Sequence, residues 1–216
     1  MTSAAMPRKS ETARVSEEPR QSESNVVATT EHDESHLKVA DLIALFDGLF
    51  ADSENTRLLA GDGDPEYCPA DATVPWHRVI FAHGFYGSAL HEIAHWCIAG
   101  RARRQLPDYG YWYEPDGRSP ARQREFEQVE VKPQALEWIL SEACGRRFYI
   151  STDNLDGDPE AVAAGQAAFA AAVLKQVAVY LQDGLPERAE ILKRALLDYY
   201  QRHQEFGAHL FVPERI

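Results

Sequence analysis

Two histidines four residues apart, with a glutamate directly after the first, form the pattern His-Glu-x-x-His at residues 91–95. On a helix, side chains four positions apart lie on one face, so His91 and His95 can direct both imidazoles at one metal ion. Glu92 lies about a hundred degrees further round the same helix. The pattern therefore predicts a metal site that lacks only a third protein ligand.

The third ligand is expected from a second helical segment, residues 122–147, which would pack across the first helix. This segment offers three carboxylates, those of Glu127, Glu130 and Glu137. Glu130 is preferred, because the small Ala135 five residues later would allow the two helices to approach closely. Glu127 is the second choice, since it lies three residues before Glu130 on nearly the same face of the helix. The predicted ligand set is therefore His91, His95 and Glu130.

Two imidazoles and one carboxylate leave open positions on the metal, and two chemistries use such a site. With zinc, the site lowers the pKa of a bound water, and Glu92 would be the general base of a peptidase, the function that the motif alone favours. With ferrous iron, the same ligands form the facial triad that activates dioxygen. A metal-stabilised binding module is less favoured, because structural zinc sites usually fill all four positions, often with cysteine.

The composition describes a soluble globular chain of 216 residues, 44% of them hydrophobic, which suits a single domain. The formal net charge of -12 argues against a general nucleic-acid or anionic-membrane surface and is compatible with a cationic substrate group. No apolar run is long enough for a membrane helix, and residues 1–35 lack the core of a secretory signal, so the cytoplasm is expected. The three cysteines have no paired spacing that would indicate disulfides or a cysteine zinc site.

The elements that must position the site follow from hydrophobic periodicity. Residues 1–36 are polar without a periodic apolar face and are predicted to be a disordered extension, which leaves residues 37–216 as the metal-dependent domain. The fold class predicted is α+β, a helix-rich single domain with a small β-sheet and a zincin-like metal helix. The predicted elements are a helix of about fourteen residues from near residue 36, a loop at 60–65, a strand at 78–82, the metal helix at 86–98, a helix at 122–147 with a break at Pro133, and helices at 159–182 and 187–202.

Four further features could serve the site or only the fold. The aromatic residues 109–113 could wall a pocket for an ammonium group by cation–π contact, or pack in the core. The basic residues 101–104 could do no more than complement the dipole of the metal helix. His83 could contact substrate or simply stabilise a turn, and Asp153 with Asn154 could line the site or cap the next helix.

Four stretches of the chain closely resemble the bacterial elongation factor P hydroxylase family, and the resemblance extends from about residue 42 to residue 200. It is much more specific than the metal motif, and it does not include the first forty residues. The stretches are 78–86 (RVIFAHGFY), 89–100 (ALHEIAHWCIAG), 108–113 (DYGYWY) with 115–118 (PDGR), and 126–138 (FEQVEVKPQALEW).

This resemblance implies hydroxylation of the lysine of elongation factor P that has already received a β-lysyl group, a monooxygenase-type modification. The metal implied is Fe(II), held by His91, His95 and a glutamate that maps to Glu130, with zinc as the alternative. Molecular oxygen and β-lysylated elongation factor P are the expected partners, with neither nucleic acid nor membrane. Glu92 is then a catalytic-site residue that holds a metal ligand or a bound water by hydrogen bonding rather than a hydrolytic base.

Overall fold

The computed structural model describes residues 34–111, 120–152 and 159–216. Within these ranges the fold is helix-rich with one small sheet, which confirms the predicted α+β class. The predictions for residues 1–33, for the aromatic and turn residues 112–118, and for Asp153 and Asn154 lie outside the described residues. The main elements are α1 (Val39–Phe50), β1 (Thr56–Gly61), β2 (Glu66–Cys68), β3 (His77–Ala82), α2 (Tyr86–Ile98), α3 (Pro120–Cys144), α4 (Pro159–Asp183) and α5 (Glu187–Tyr199).

The sheet has the strand order β1-β3-β2, with β3 parallel to β1 and antiparallel to β2. The β-branched and aromatic residues of β3 confirm the strand predicted at 78–82, and Val79 and Phe81 point into the core. The predicted loop at 60–65 is wrong in its first two residues, because Ala60 and Gly61 pair with β3 at the end of β1. A side chain at Gly61 would come within 2.7 Å of the Ile80 side chain, so this glycine permits close packing rather than a turn.

The helix α2 begins directly after β3, through a tight turn in which His83 and Gly84 both have positive φ, at 51° and 70°. The Ser88 hydroxyl accepts a hydrogen bond of 3.0 Å from the backbone N–H of Ala82, which fixes the first turn of the helix against the end of the strand. The bounds Tyr86–Ile98 agree with the predicted metal helix. The strand therefore sets the direction in which α2 presents its histidines.

Burial and one arginine hold the C-terminal half of α2. Trp96 is fully buried, with its ring centroid 5.0 Å from that of Phe46 and 4.9 Å from that of Phe50. The guanidinium of Arg188, which comes from α5, donates hydrogen bonds to the carbonyls of Trp96, Cys97 and Ala99 at 2.8, 3.1 and 2.7 Å. The last carbonyls of a helix have no hydrogen-bond donors within the helix, and Arg188 supplies these donors for α2.

The helix α3 is continuous from Pro120 to Cys144 and includes Pro133, so the predicted break at this proline is wrong. A proline inside a helix removes one backbone hydrogen bond and strains the preceding turn. Here residues 133–144 are all buried, and α3 packs against α2, α4 and α5, so tertiary packing outweighs the loss. Because the helix stays unbroken, carboxylates on both sides of Pro133 lie on one rigid element.

The remaining helices agree with their predictions apart from their ends. The first helix begins at Val39, later than predicted, and α4 ends within one residue of the predicted position. The last helix, α5, stops at Tyr199 instead of residue 202, and Gln201 just beyond it is left-handed with φ 56°. None of the helices within the described ranges combines the length and the apolar character needed to cross a membrane.

Replacing Arg188 with alanine should destabilise the fold by roughly 2–4 kcal/mol, because three carbonyls at the end of α2 would lose a charged donor. The matched control is Arg194→Ala on the same helix, where the side chain is 72% exposed and pairs with Glu190. That change should cost no more than about 0.5 kcal/mol. Urea unfolding followed by circular dichroism measures both, and equal losses for the two variants would contradict the role given to Arg188.

Candidate metal centre

The side chains of His91, His95 and Glu130 converge between α2 and α3, with one ligand atom from each lying within 4.8 Å of the others. The two Nε2 atoms are 3.1 Å apart. The Glu130 oxygens lie 3.4 Å from Nε2 of His91 and 3.3 Å from Nε2 of His95. The structure thus brings together the three residues that the sequence predicted as ligands.

These separations fit one ion at the centre of the three atoms. Ligand atoms at about 2.1 Å from an ion, and 90–110° apart around it, lie about 3.0–3.4 Å from one another. In addition, Oε2 of Glu130 is buried and accepts no hydrogen bond within the described part of the chain. A buried carboxylate oxygen without a donor is costly unless a cation meets it.

The shifted pKa values of these side chains also indicate that positive charge is favoured at the centre. Burial lowers the pKa of His91, but the hydrogen bond to Glu137 and the charges of Glu130 and Glu137 outweigh it and raise the pKa to about 10. Burial alone would raise the pKa of Glu130, yet its interactions with His95 and His91 hold that pKa below its ordinary value. A divalent cation would supply the positive charge that these carboxylates otherwise draw from the imidazoles.

A second carboxylate fixes the orientation of His91. Nδ1 of His91 donates a hydrogen bond of 2.9 Å to Oε2 of Glu137, so Nε2 is the nitrogen that can give up its proton to a metal ion, and it is directed at the centre. Glu137 lies seven residues after Glu130, which is two helical turns, and its other oxygen is 4.0 Å from Nη1 of Arg146. A Cβ at Gly87 would come within 2.5 Å of Nη2 of Arg146, so a larger residue there would displace the end of this arginine from its present position.

The other two predicted glutamates occupy different positions. Glu127 accepts a hydrogen bond of 3.1 Å from the amide of Gln123 and is not part of the convergent group. Glu92 is half-buried beside the centre, and burial raises the pKa of its carboxyl while the charges of His91 and His95 partly offset the rise. Glu92 is therefore a carboxyl that holds a proton more readily than an exposed one.

A strained turn brings a tyrosine close to Glu92. Asp108, Tyr109 and Gly110 have positive φ of 46°, 58° and 71° in succession, a conformation that costs roughly 1–3 kcal/mol for each non-glycine residue. The turn is held by Tyr67, whose backbone N–H donates to Asp108 Oδ1 at 2.8 Å and whose ring stacks on that of Tyr109 at 4.3 Å. The Tyr109 hydroxyl is buried and has no hydrogen-bond partner among the described residues.

The environment keeps that phenol neutral. Burial, followed by the negative charge of Glu92, raises the pKa of Tyr109 well above its usual range. Tyr109 is therefore a core residue, which is one of the two roles predicted for the aromatic stretch. The charge of Glu92 beside the metal ligands also raises the pKa of its hydroxyl. His83 is exposed in the turn before α2, its ring lies 5.9 Å from that of Phe85, and it is not part of the convergent group of ligands.

Sequence reasoning missed Arg146, named Tyr109 only as one member of an aromatic stretch, and gave Glu137 only as a possible ligand. A signal for Glu137 was present, since Glu130 and Glu137 are seven residues apart and therefore share a helix face. The positions of Arg146 and Tyr109 depend on contacts between distant segments, which no local spacing announces.

Fold and site together define a helix-rich α+β protein with a candidate mononuclear metal centre built from two histidines and one glutamate. The model of the elongation factor P hydroxylase family matches residues 45–210, a range that includes every residue of this centre. A relative from Haemophilus influenzae, named elongation factor P lysine hydroxylase, is 52% identical over 174 residues, which are 81% of this chain and 96% of the relative. The chain belongs to the elongation factor P hydroxylase family, which confirms the resemblance seen in its sequence.

Replacing Glu130 with alanine should reduce metal binding to the level of a two-histidine site, a loss of at least about a hundredfold in affinity. The matched control is Glu127→Ala, one helical turn earlier, which should bind metal as tightly as the unmodified protein. Titration of the metal-free proteins with Fe(II) or Co(II) measures both. Loss of binding in the Glu127 variant and not in the Glu130 variant would transfer the ligand assignment to Glu127.

Changes at Glu137 should separate orientation from ligation. Glu137→Ala removes the acceptor for Nδ1 of His91 and should weaken metal binding by about 10- to 100-fold. Glu137→Gln keeps an oxygen acceptor and should recover most of the loss. If the alanine variant binds metal normally, the orienting role is wrong, and a loss as large as that of Glu130→Ala would make Glu137 a direct ligand.

Proposed function

We propose that this protein hydroxylates the lysine of elongation factor P that already carries a β-lysyl group, and that it does so with Fe(II). The relative from Haemophilus influenzae is named for lysine hydroxylation of elongation factor P, and this chain aligns with 96% of it. The observation that carries the proposal is the convergence of His91, His95 and Glu130 at metal-ligand spacing in a chain of this family.

The iron assignment rests on the chemistry of the reaction together with the donor set. Hydroxylation inserts one oxygen atom of O2 into a carbon–hydrogen bond and reduces the other to water, with two protons and two electrons from an external reductant. Zinc has no redox chemistry, whereas iron held by two histidines and one carboxylate does this work in other enzymes. Bound ferrous iron would supply the activation of dioxygen.

The protein side chains would hold and orient the reacting groups. His91, His95 and Glu130 would hold the ion, and a set of only three protein ligands would leave coordination positions for dioxygen or substrate. Glu137 would keep His91 in the tautomer that presents Nε2. Glu92, half-buried beside the ligands, would hydrogen-bond to a metal ligand or to a bound water, and we infer no hydrolytic role for it.

Several finer features belong to the same proposal. The direct succession of β3 and α2 supports the description of α2 as a zincin-like metal helix. A modifier of a translation factor would act in the cytoplasm and require neither nucleic acid nor membrane. Residues 1–36 would be an extension to the hydroxylase domain at 37–216. The family assignment favours hydroxylation over the zinc peptidase that the motif alone had favoured.

Incubation of β-lysylated elongation factor P with the iron-loaded protein, oxygen and a reductant should add one oxygen atom, a mass gain of about 16 Da. Zinc-loaded protein is the matched control and should give no gain. Intact-mass spectrometry followed by peptide mapping would locate the change on the modified lysine. No gain from protein with verified iron occupancy, or an equal gain with zinc, would contradict the proposal.

The variant Glu92→Gln separates the hydroxylase from a peptidase. A general base of hydrolysis cannot be replaced by an amide, so a peptidase would lose essentially all activity. A hydrogen-bonding role tolerates the amide, and hydroxylation should fall by less than about a hundredfold with metal content unchanged. Complete loss of hydroxylation in a variant that keeps its iron would make Glu92 an obligatory proton carrier and contradict the supporting role.

A further inference from the structure

A cavity of about 660 Å³ opens beside the metal ligand His95, between the C-terminal end of α2 and the middle of α3. Its volume lies in the range of sites for small molecules. Among its described walls are the apolar side chains of Ile98, Val129 and Pro133. A ligand seated here would lie directly against the candidate metal centre.

The charge of the cavity is opposite to that of the chain. The protein carries a formal net charge of -12, yet the described residues that line the cavity include Arg101, Arg103 and Lys132 and no carboxylate. A recess whose walls carry charge of one sign concentrates the electric field and raises the local concentration of ions of opposite sign. The cavity is therefore suited to an anion.

The dipole of α2 does not account for all of these charges. The dipole of α2 could account for basic residues at its C-terminal end, but Arg188 already donates to three carbonyls there. Arg104 is occupied by an ion pair of 2.6 Å with Glu54. In contrast, the side chains of Arg101 and Lys132 have neither a hydrogen bond nor an ion pair in the part of the chain that the structure describes. The prediction that residues 101–104 only complement the helix dipole therefore does not explain Arg101.

The third cation is held in place. Nη1 of Arg103 donates to the carbonyl of Tyr109 at 3.2 Å, and its guanidinium lies over the ring of Tyr111, 4.3 Å from the centroid. The sequence predicted that the aromatic residues 109–113 could contact a cationic substrate. In the structure, a ring face of Tyr111 is covered by Arg103 of the protein itself. A fixed guanidinium pairs well with a carboxylate because little side-chain freedom remains to be lost.

We propose that this cavity binds a small organic acid, whose carboxylate pairs with Arg101, Arg103 and Lys132 while its carbon skeleton rests on the apolar wall. The cavity walls favour an organic acid over a bare inorganic anion, because charged and apolar side chains lie side by side. The ammonium groups of a β-lysylated lysine would be repelled by three cations, so that side chain reaches the centre by another route. The proposal concerns binding and does not depend on the hydroxylase assignment.

The test is calorimetric titration of the full-length, metal-loaded protein with succinate, glutarate and pyruvate at physiological salt. 1,4-Butanediol serves as an uncharged analogue. At least one acid should bind saturably below about 20 mM, since millimolar affinity corresponds to only about 4 kcal/mol, and the diol should not bind. A higher salt concentration should weaken the binding of the acid, because the attraction is between charges.

The variant Arg101→Gln with Lys132→Gln should weaken acid binding at least about tenfold. The matched control is Lys175→Gln with Arg194→Gln, which removes the same charge from exposed positions on α4 and α5 that do not line the cavity. That control should bind the acid within about twofold of the unmodified protein. Circular dichroism of both variants verifies that each is folded.

Either of two results would overturn the proposal. Absence of saturable binding for all three acids rules out the small-acid site, and equal weakening in both double variants assigns the effect to net charge. If the cavity variant instead weakens binding of elongation factor P while no acid binds, the cations serve the protein substrate. Because binding is measured without turnover, a failure of hydroxylation leaves these results unchanged.

Discussion

The structure depends on the meeting of one buried carboxylate with two imidazoles. Glu130 on α3 lies within 3.3–3.4 Å of Nε2 atoms on both His95 and His91, and one of its oxygens has no hydrogen-bond donor in the described residues. Such a cluster is costly in a protein interior unless positive charge joins it. The crossing of α2 and α3 must therefore be held rigidly, and the supporting contacts serve this requirement. Arg188 closes the end of α2, Trp96 anchors it in the core, and the burial of α3 keeps that helix continuous through Pro133.

The charges around the centre are divided into two regions with different consequences. On the side of α3, Glu130 and Glu137 concentrate negative charge on the histidines, which favours a cation at the site. On the side of the cavity, arginines and a lysine face a recess without a described carboxylate. The proposed metal cation and organic anion would thus lie next to each other in one small region, although the chain as a whole is acidic. The net charge of a chain bears on its solubility and long-range attraction, but it does not predict the charge of the residues that line one cavity.

The sequence was most informative where chemistry depends on local spacing. The interval between His91 and His95, the apolar face of α2 and the β-branched residues of β3 are all properties of short segments, and the structure confirms each element. The choice of Glu130 over Glu127 followed from one close-packing argument, and the geometry groups Glu130, and not Glu127, with the two histidines. The contacts that support the site could not be predicted, because they join residues that are far apart in the sequence. Arg188 reaches Ala99 across 89 residues, and the strained turn at Tyr109 is held by Tyr67 from another element. Even Gly61, which looked like a turn residue, is a strand residue, because it pairs with Ala82 of β3.

The central claim is that His91, His95 and Glu130 hold one metal ion and leave part of its surface open. Anomalous diffraction at the iron edge, from crystals of iron-loaded protein, measures this most directly. The account predicts one peak at about 2.0–2.3 Å from Nε2 of each histidine and from an oxygen of Glu130, with no fourth protein ligand. A peak bound to Glu127 or Glu137, or an ion enclosed by four protein ligands, would contradict it.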